Sequence, residues 1–390
     1  MLGFCRPQVS QTGNTIPFVQ DTLKVGAERT GLYFPYLHGK TVACVANHTS
    51  VIGQVHLVDS LVQAGINMVK VFAPEHGFRG LEEAGEEVRN QIDQKTGIQI
   101  VSLYGTFKKP SREDLEGIQV VLFDIQDVGT RFYTYISTMT YVMEACAENA
   151  VPFILLDRPN PNGDYVDGPV LEKGYESFVG LHPVPVVHGM TVGEYARMVN
   201  EEGWLEKGIK AQLTVIPVEN YTHSTRYSLP VAPSPNLPND LAICLYPSLC
   251  LFEGTRVSVG RGTDYPFQVI GHPYYVIGSF LFKPESRQEA RHPLYEGQNC
   301  YGTSLGGVWE LCMKDRRLNL SWLINHYDFW NNFVKDRGSF FNNYFDKLAG
   351  NSTLRKQITE GKTEDQIRAS WHEGLAKFRS IRQKYLLYPE

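Results

Sequence analysis

The chain has 390 residues, more than one hydrophobic core usually serves, so two domains are expected. Hydrophobic residues make up 42% and charged residues 20%, the balance of a globular protein rather than a disordered, fibrous or membrane-embedded one. The 37 basic and 42 acidic side chains leave a net charge of −5 with no Lys/Arg block, which argues against a nucleic-acid partner.

No apolar run approaches the length that crosses a bilayer, and the opening residues MLGFCRPQVS carry neither a basic n-region nor an apolar h-region. Cys5 lies near that start, but Phe4 stands where a lipid-anchor signal needs a small residue. The seven cysteines (Cys5, Cys44, Cys146, Cys244, Cys250, Cys300, Cys312) are scattered without a C-x-x-C pair. Buried free thiols are expected rather than a zinc site.

From Thr41 onward short β-rich runs alternate with helical stretches, the pattern of a parallel sheet with crossover helices. Thr41–Ala46 leads to Asn47-His48-Thr49, and Met68–Ala73 to Pro74-Glu75-His76-Gly77. Ile98–Leu103 then leads to Tyr104-Gly105, Val120–Phe123 to Asp124-Ile125-Gln126-Asp127, and Val151–Leu156 to Asp157-Arg158-Pro159-Asn160. Nearly continuous apolar strands of this kind are expected where helices cover both faces of a sheet. Leu57, Val58, Leu61 and Val62 mark one intervening helix, and Ile136, Met139, Met143 and Cys146 another. An acidic, glycine-containing loop, GFRGLEEAGEEVRNQID, interrupts the alternation after Gly77, at a place where a long loop often serves a site.

The turn-rich run PNPNGDYVDGP, Pro159–Pro169, reads as a domain boundary. It divides residues 20–165, a Rossmann-like domain, from residues 166–390, an α+β domain. In the second part Thr191 and Glu194 form a capping box that opens a helix through Met198. The segment from Pro233 to Gly271 reads as extended loops, and Glu364–Tyr385 as one closing helix with Ile367, Trp371, Leu375, Phe378 and Ile381 on its apolar face.

Ligands of open parallel sheets bind beyond the carboxyl ends of the strands, where four of the five runs end in polar clusters. The first turn reads NHTSVIGQ, not G-x-G-x-x-G, so a dinucleotide is disfavoured, and no P-loop occurs. Gly302-Thr303-Ser304-Leu305-Gly306 matches G-x-S-x-G but follows polar residues rather than a buried strand, so it is read as a chance match. What remains are carboxylates: Glu75, Asp124, Asp127, Asp157 and Glu253. Paired carboxylates in different surroundings are the usual equipment for breaking a glycosidic bond. Glu75 follows an apolar strand that would half-bury it and raise its proton affinity toward that of a general acid. The competing reading is a plain ion pair with Arg79. Arg131, Arg158, Arg256 and Arg261 lie in Gly/Pro-rich segments near these clusters, and a guanidinium facing the crevice would suit a substrate carboxylate.

The runs PEHGFRG (74–80), SLYG (102–105) and FDIQDVGTRFYTY (123–135) resemble the NamZ-type exo-β-N-acetylmuramidases, a family long catalogued as a domain of unknown function. DRPNP (157–161), HGMT (188–191), PSPN (233–236), EGT (253–255) and GRGT (260–263) with Pro266-Phe267 come next in family order, so the resemblance covers about Gly31 to Tyr388. It implies a cleft between the two domains, with the glutamate of the P-E-H-G motif, Glu75, as catalytic residue. It also implies removal of N-acetylmuramic acid from the non-reducing ends of peptidoglycan fragments, without cofactor or metal, in a secreted or periplasmic setting.

Strand ends and motifs together put forward Glu75, His76, Asp124 and Asp127 as catalytic. They put forward Asn47, Thr49, Tyr104, Gln126, Arg131, Tyr133, Asp157, Arg158, Asn236, Glu253 and Arg261 as substrate-binding. Two positions depart from the family pattern: Val259 stands where many members carry Glu, and Val231 where an aromatic is common. The alternatives are a non-catalytic muropeptide-binding protein and a carboxylate-metal hydrolase built on Asp124 and Asp127.

Overall fold

The computed structural model describes residues 22–75, 77–79 and 90–390. Its largest sheet has seven strands. The first six in chain order are β1 (Thr41–Ala46), β2 (Asn67–Ala73), β3 (Asn90–Ile92), β4 (Gln99–Ser102), β5 (Val120–Asp124) and β6 (Phe153–Leu156). A separate antiparallel hairpin, β7 (Asp167–Val170) and β8 (Pro185–Val187), comes next, and β9 (Leu213–Ile216) then returns to the sheet. The spatial order is β9-β6-β5-β1-β2-β4-β3, all parallel except the edge pair β3–β4.

Strand alternation divides the side chains between two buried faces. Ala43, Val45, Phe72, Val121, Phe123 and Leu155 point into one cluster, where α3 (Tyr135–Glu148) adds Ile136, Met139, Met143 and Cys146. Their neighbours Val42, Cys44, Val71, Leu122 and Leu156 point into the other, covered by α1 (Thr30–Leu37) and α2 (Leu57–Gln63). Both faces are therefore dry, which is why these strands read as almost unbroken apolar runs. Val62, expected on the apolar stripe of α2, is instead 40% exposed.

The sheet does not stop at residue 165. β9 pairs in parallel with β6, and α4 (Val192–Glu201), opened by the expected Thr191/Glu194 capping box, supplies the crossover between them. The turn-rich run after Pro159 is thus a loop within the sheet domain. The α3 side of the sheet also shares one continuous apolar cluster with the later helices, through Leu245, Leu249, Phe252 and Phe267.

The expectation of extended loops from Pro233 to Gly271 is corrected by α5 (Asp240–Leu249), whose N-cap Asn239 accepts from the Ala242 N–H at 2.9 Å. This helix is buried nearly all round, so no amphipathic period marks it in the sequence. A three-stranded antiparallel sheet of β10 (Val269–His272), β11 (Phe280–Phe282) and β12 (Cys300–Ser304) comes after it. Ser304 is exposed at the end of β12, not on a strand-to-helix elbow. The remaining helices begin with α6 (Trp309–Asp315), α7 (Ser321–Phe333), α8 (Phe345–Ala349) and α9 (Thr353–Thr359). The closing helix is two, α10 (Glu364–Ala369) and α11 (His372–Arg382), because the N–H groups of Ser370 and Trp371 bond three residues back instead of four.

Cys244 on α5 and Cys312 on α6 form a disulfide across 68 residues, correcting the expectation of free thiols throughout. Cys44, Cys146, Cys250 and Cys300 are buried free thiols, and Cys5 lies outside the described residues. No helix among the described residues is long and apolar enough to cross a membrane.

Candidate active site

Glu75 emerges one residue beyond Pro74 at the carboxyl end of β2. The turn is closed by the Gly77 N–H donating to the Pro74 carbonyl at 3.1 Å, with Gly77 at a φ of 73° that favours glycine. Glu75 is half-buried, and its carboxylate accepts from the Thr134 hydroxyl at 3.3 Å. Arg79 does not pair with it; that guanidinium bonds Asp93 and Asp59, each at 2.8 Å. The carboxylate is thereby left facing a cleft with about 670 Å³ of empty space.

The cleft is lined by Glu75, by Phe132–Tyr135 from the end of the loop between β5 and α3 and the start of α3, and by Ser234, Asn236, Tyr246, Glu253, Arg261 and Tyr344 from later in the chain. Glu253, in the 3₁₀ turn after α5, accepts from Arg261 Nε at 2.6 Å, and the Cys250 thiol lies 3.6 Å from its second oxygen. The Arg261 guanidinium also rests 5.1 Å from the ring centre of Phe267, which is fully buried and held at a φ of 54°, a conformation rare for an aromatic residue. Burial pushes the Tyr344 hydroxyl well above its ordinary pKa; Cys250, Glu253 and Glu75 reinforce the shift. Tyr344 thus lies within electrostatic reach of both Glu253 and Glu75.

The family model described as exo-beta-N-acetylmuramidase NamZ, N-terminal, matches residues 42–241, and its C-terminal counterpart matches 244–388. The peptidoglycan beta-N-acetylmuramidase NamZ of Bacillus subtilis is 38% identical over 381 residues, covering 91% of this chain and 89% of the relative. This chain belongs to the NamZ family. The crystal structures of two DUF1343 family proteins from Bacteroides fragilis superpose on it with TM-scores of 0.87 and 0.77. They are 46% and 28% identical, cover 95% and 94% of this chain, and are themselves covered to 99%. The two NamZ models meet between residues 241 and 244, after β9 has completed the sheet.

Against this NamZ framework the expected site residues separate. Glu75, Tyr133, Asn236, Glu253 and Arg261 line the cleft, with the Tyr133 hydroxyl donating to the Pro233 carbonyl at 2.8 Å. His76 lies outside the described residues. Tyr104 is half-buried and does not line the cleft.

Asp124 is fully buried under a two-pronged ion pair with Arg158, at 2.6 and 2.8 Å, so neither residue is available to a sugar. Asp157 is equally enclosed. It accepts from the Arg158 and Gly193 backbone N–H groups and from the Thr191 and Tyr388 hydroxyls, tying β6, α4 and the chain's last residues together. Gln126 donates to the Asp127 and Pro159 carbonyls at 2.8 Å. Asn47 takes its bonds from Thr49, whose hydroxyl in turn accepts from the Gln126 N–H.

Arg131 is the clearest correction. It is fully buried, and its guanidinium donates to the carbonyls of Pro169, Val184 and Leu348 at 2.8–2.9 Å, clamping β7 and α8. It therefore positions Leu348, a cleft residue, instead of meeting substrate. Asp127 is buried and does not line the cleft; its Oδ2 accepts from the Gly129 N–H at 2.7 Å, and burial pushes its pKa up to about 7. Val259 is buried too.

Among the described residues one carboxylate group has metal-like spacing, Glu144, Glu148 and Glu206, and Lys109 bonds the first two at 2.6 and 2.8 Å. Sequence reasoning missed Tyr246, Cys250 and Tyr344 in the cleft. They come from α5, the 3₁₀ turn after it and the turn before α8, far along the chain, where no strand end points to a site.

Proposed function

We propose that this protein is an exo-acting glycoside hydrolase that releases N-acetylmuramic acid from the non-reducing ends of peptidoglycan fragments. The observation that carries this reading is the pair of carboxylates, Glu75 and Glu253, lining one cleft in a chain of the NamZ family. Glycosidic cleavage needs one group to protonate the departing oxygen and another to stabilise positive charge at the anomeric carbon or to activate water. Glu75 is the acid: it hangs at a strand end with a single weak hydroxyl donor on its side chain among the described residues. Glu253 is the partner, with Arg261 alongside. Arg261 uses Nε on Glu253 and leaves both Nη groups without a described partner, so its fork can take the lactyl carboxylate that distinguishes N-acetylmuramic acid from N-acetylglucosamine.

No step of this reading needs a metal. The protein acts outside the cytoplasm, in cell-wall turnover, and the Cys244–Cys312 disulfide fits the oxidising setting of such a place. The test is incubation with MurNAc-GlcNAc disaccharide, with and without a chelator. Free N-acetylmuramic acid at equal rates in both arms is expected. Binding without release would establish a muropeptide-binding protein instead, and loss of activity in the chelator arm a metal-dependent hydrolase.

A further inference from the structure

Asn236 carries an unanswered acceptor. It is 3% exposed, lines the cleft, and sits in a tight turn closed by the Leu237 N–H donating to the Ser234 carbonyl at 3.0 Å. Its Nδ2 donates to the Glu289 carbonyl at 3.1 Å, which fixes the amide, since the flipped form would set two acceptors against each other. That leaves Oδ1 buried with no hydrogen-bond partner among the described residues. A buried acceptor without a donor is costly, and a ligand that supplies an N–H or O–H removes that cost, whereas a carboxylate cannot.

The place of Asn236 narrows the choice of donor. On one side Pro233 is held by the Tyr133 hydroxyl, next in sequence to Thr134, the partner of Glu75. On the other side Glu289 belongs to the segment whose Glu285 N–H donates to the Gly262 carbonyl at 2.9 Å, immediately beside Arg261. Asn236 shares one cleft with Glu75, which the glycosidase reading sets at the scissile oxygen, and with Arg261, which it sets at the lactyl group. In the sugar, those substituents stand on C1 and C3, and the 2-acetamido group on C2 between them carries an N–H donor.

We propose that Asn236 is a specificity-determining residue whose Oδ1 accepts the 2-acetamido N–H of the muramyl sugar. This inference rests on the glycosidase reading above. The experiment compares two nitrophenyl muramyl glycosides, one with the 2-acetamido group and one with a 2-O-acetyl ester that has no N–H. Wild-type protein prefers the acetamide by about tenfold or more in kcat/KM, as expected for one buried hydrogen bond, and Asn236→Ala loses that preference. A folded Asn236→Ala protein that keeps the wild-type preference overturns the assignment, as does a wild type that hydrolyses both equally; either result leaves the glycosidase reading standing. A wild type that hydrolyses neither brings down both. Should the variant not fold, inhibition of the wild type by free N-acetylmuramic acid and by its 2-O-acetyl counterpart decides. Roughly tenfold weaker inhibition by the ester is expected, and equal inhibition overturns the proposal.

Discussion

Two groups of charged residues have opposite fates. At the ends of β5 and β6, Asp124, Asp157 and Arg158 are closed in, each satisfied by protein donors or acceptors. In the lining of the cleft, Glu75, Glu253 and Arg261 keep hydrogen-bonding capacity open toward empty space. A polar cluster at strand ends is thus no evidence of a site by itself. What separates chemistry from architecture is whether the fold has already answered the group.

The comparison breaks first at Glu75. Glu75→Gln keeps shape but cannot deliver a proton, so release of N-acetylmuramic acid from the natural disaccharide should fall by on the order of 10² to 10⁴ while the thermal melt stays at the wild-type midpoint. A nitrophenyl glycoside, whose leaving group departs without much protonation, should lose less. Near-wild-type turnover of the disaccharide would remove Glu75 from catalysis; equal large losses on both substrates would remove only its role as acid.

Asp124 should behave in the opposite way. Asp124→Asn leaves the buried Arg158 without its counter-charge, a change that costs about 3–5 kcal/mol when one partner of a buried pair is removed. Urea denaturation should register that loss, with the activity of the folded fraction within a few-fold of wild type. A stable but inactive Asp124→Asn would move Asp124 back into the site.

Arg261 sharpens the contrast within the cleft. A charged hydrogen bond is worth about 1.5–3 kcal/mol, so Arg261→Ala should lower kcat/KM for muramyl glycosides by roughly one to two orders of magnitude. Glycosides of N-acetylglucosamine, which have no lactyl carboxylate, should be poor substrates for both proteins. Equal wild-type turnover of the two sugars would rule out a lactyl-reading arginine.

The smallest expected effect is a slope in pH. Burial raises Asp127 to about 7 and Asp157 to about 6, whereas both titrate near 3.8 when unfolded. Between those values the native state holds more protons than the unfolded one, so their contribution is fully present below about pH 4 and is lost as pH rises through about 6 to 7. Asp93, held well below the ordinary carboxylate range by Arg79, acts with the opposite sign and only at lower pH. Melting temperatures measured from about pH 4.5 to 7.5 should therefore change less steeply in Asp127→Asn than in wild type. An unchanged slope would mean that Asp127 titrates as it does in the unfolded chain.

The sequence by itself determined five of the seven strands of the main sheet, the helices α2, α3 and α4, and the position of Glu75. Those features are local: a doubly buried strand must be apolar along its length, a helix face repeats every three to four residues, and a strand end exposes the residues just beyond it. Glu253 and Arg261 were candidates by residue type alone, and the family motifs added Asn236, far beyond the reach of any local period. Only the tertiary structure decided that β9 belongs to the first sheet, that Cys244 meets Cys312, and that Arg131 bonds three carbonyls from distant segments. It alone distinguished Arg261 from Arg131, and Glu253 from Asp124. The reason is physical: the residue types are the same, and their roles differ only in the partners that chain folding brings within hydrogen-bond distance, which no pattern along one strand or helix encodes.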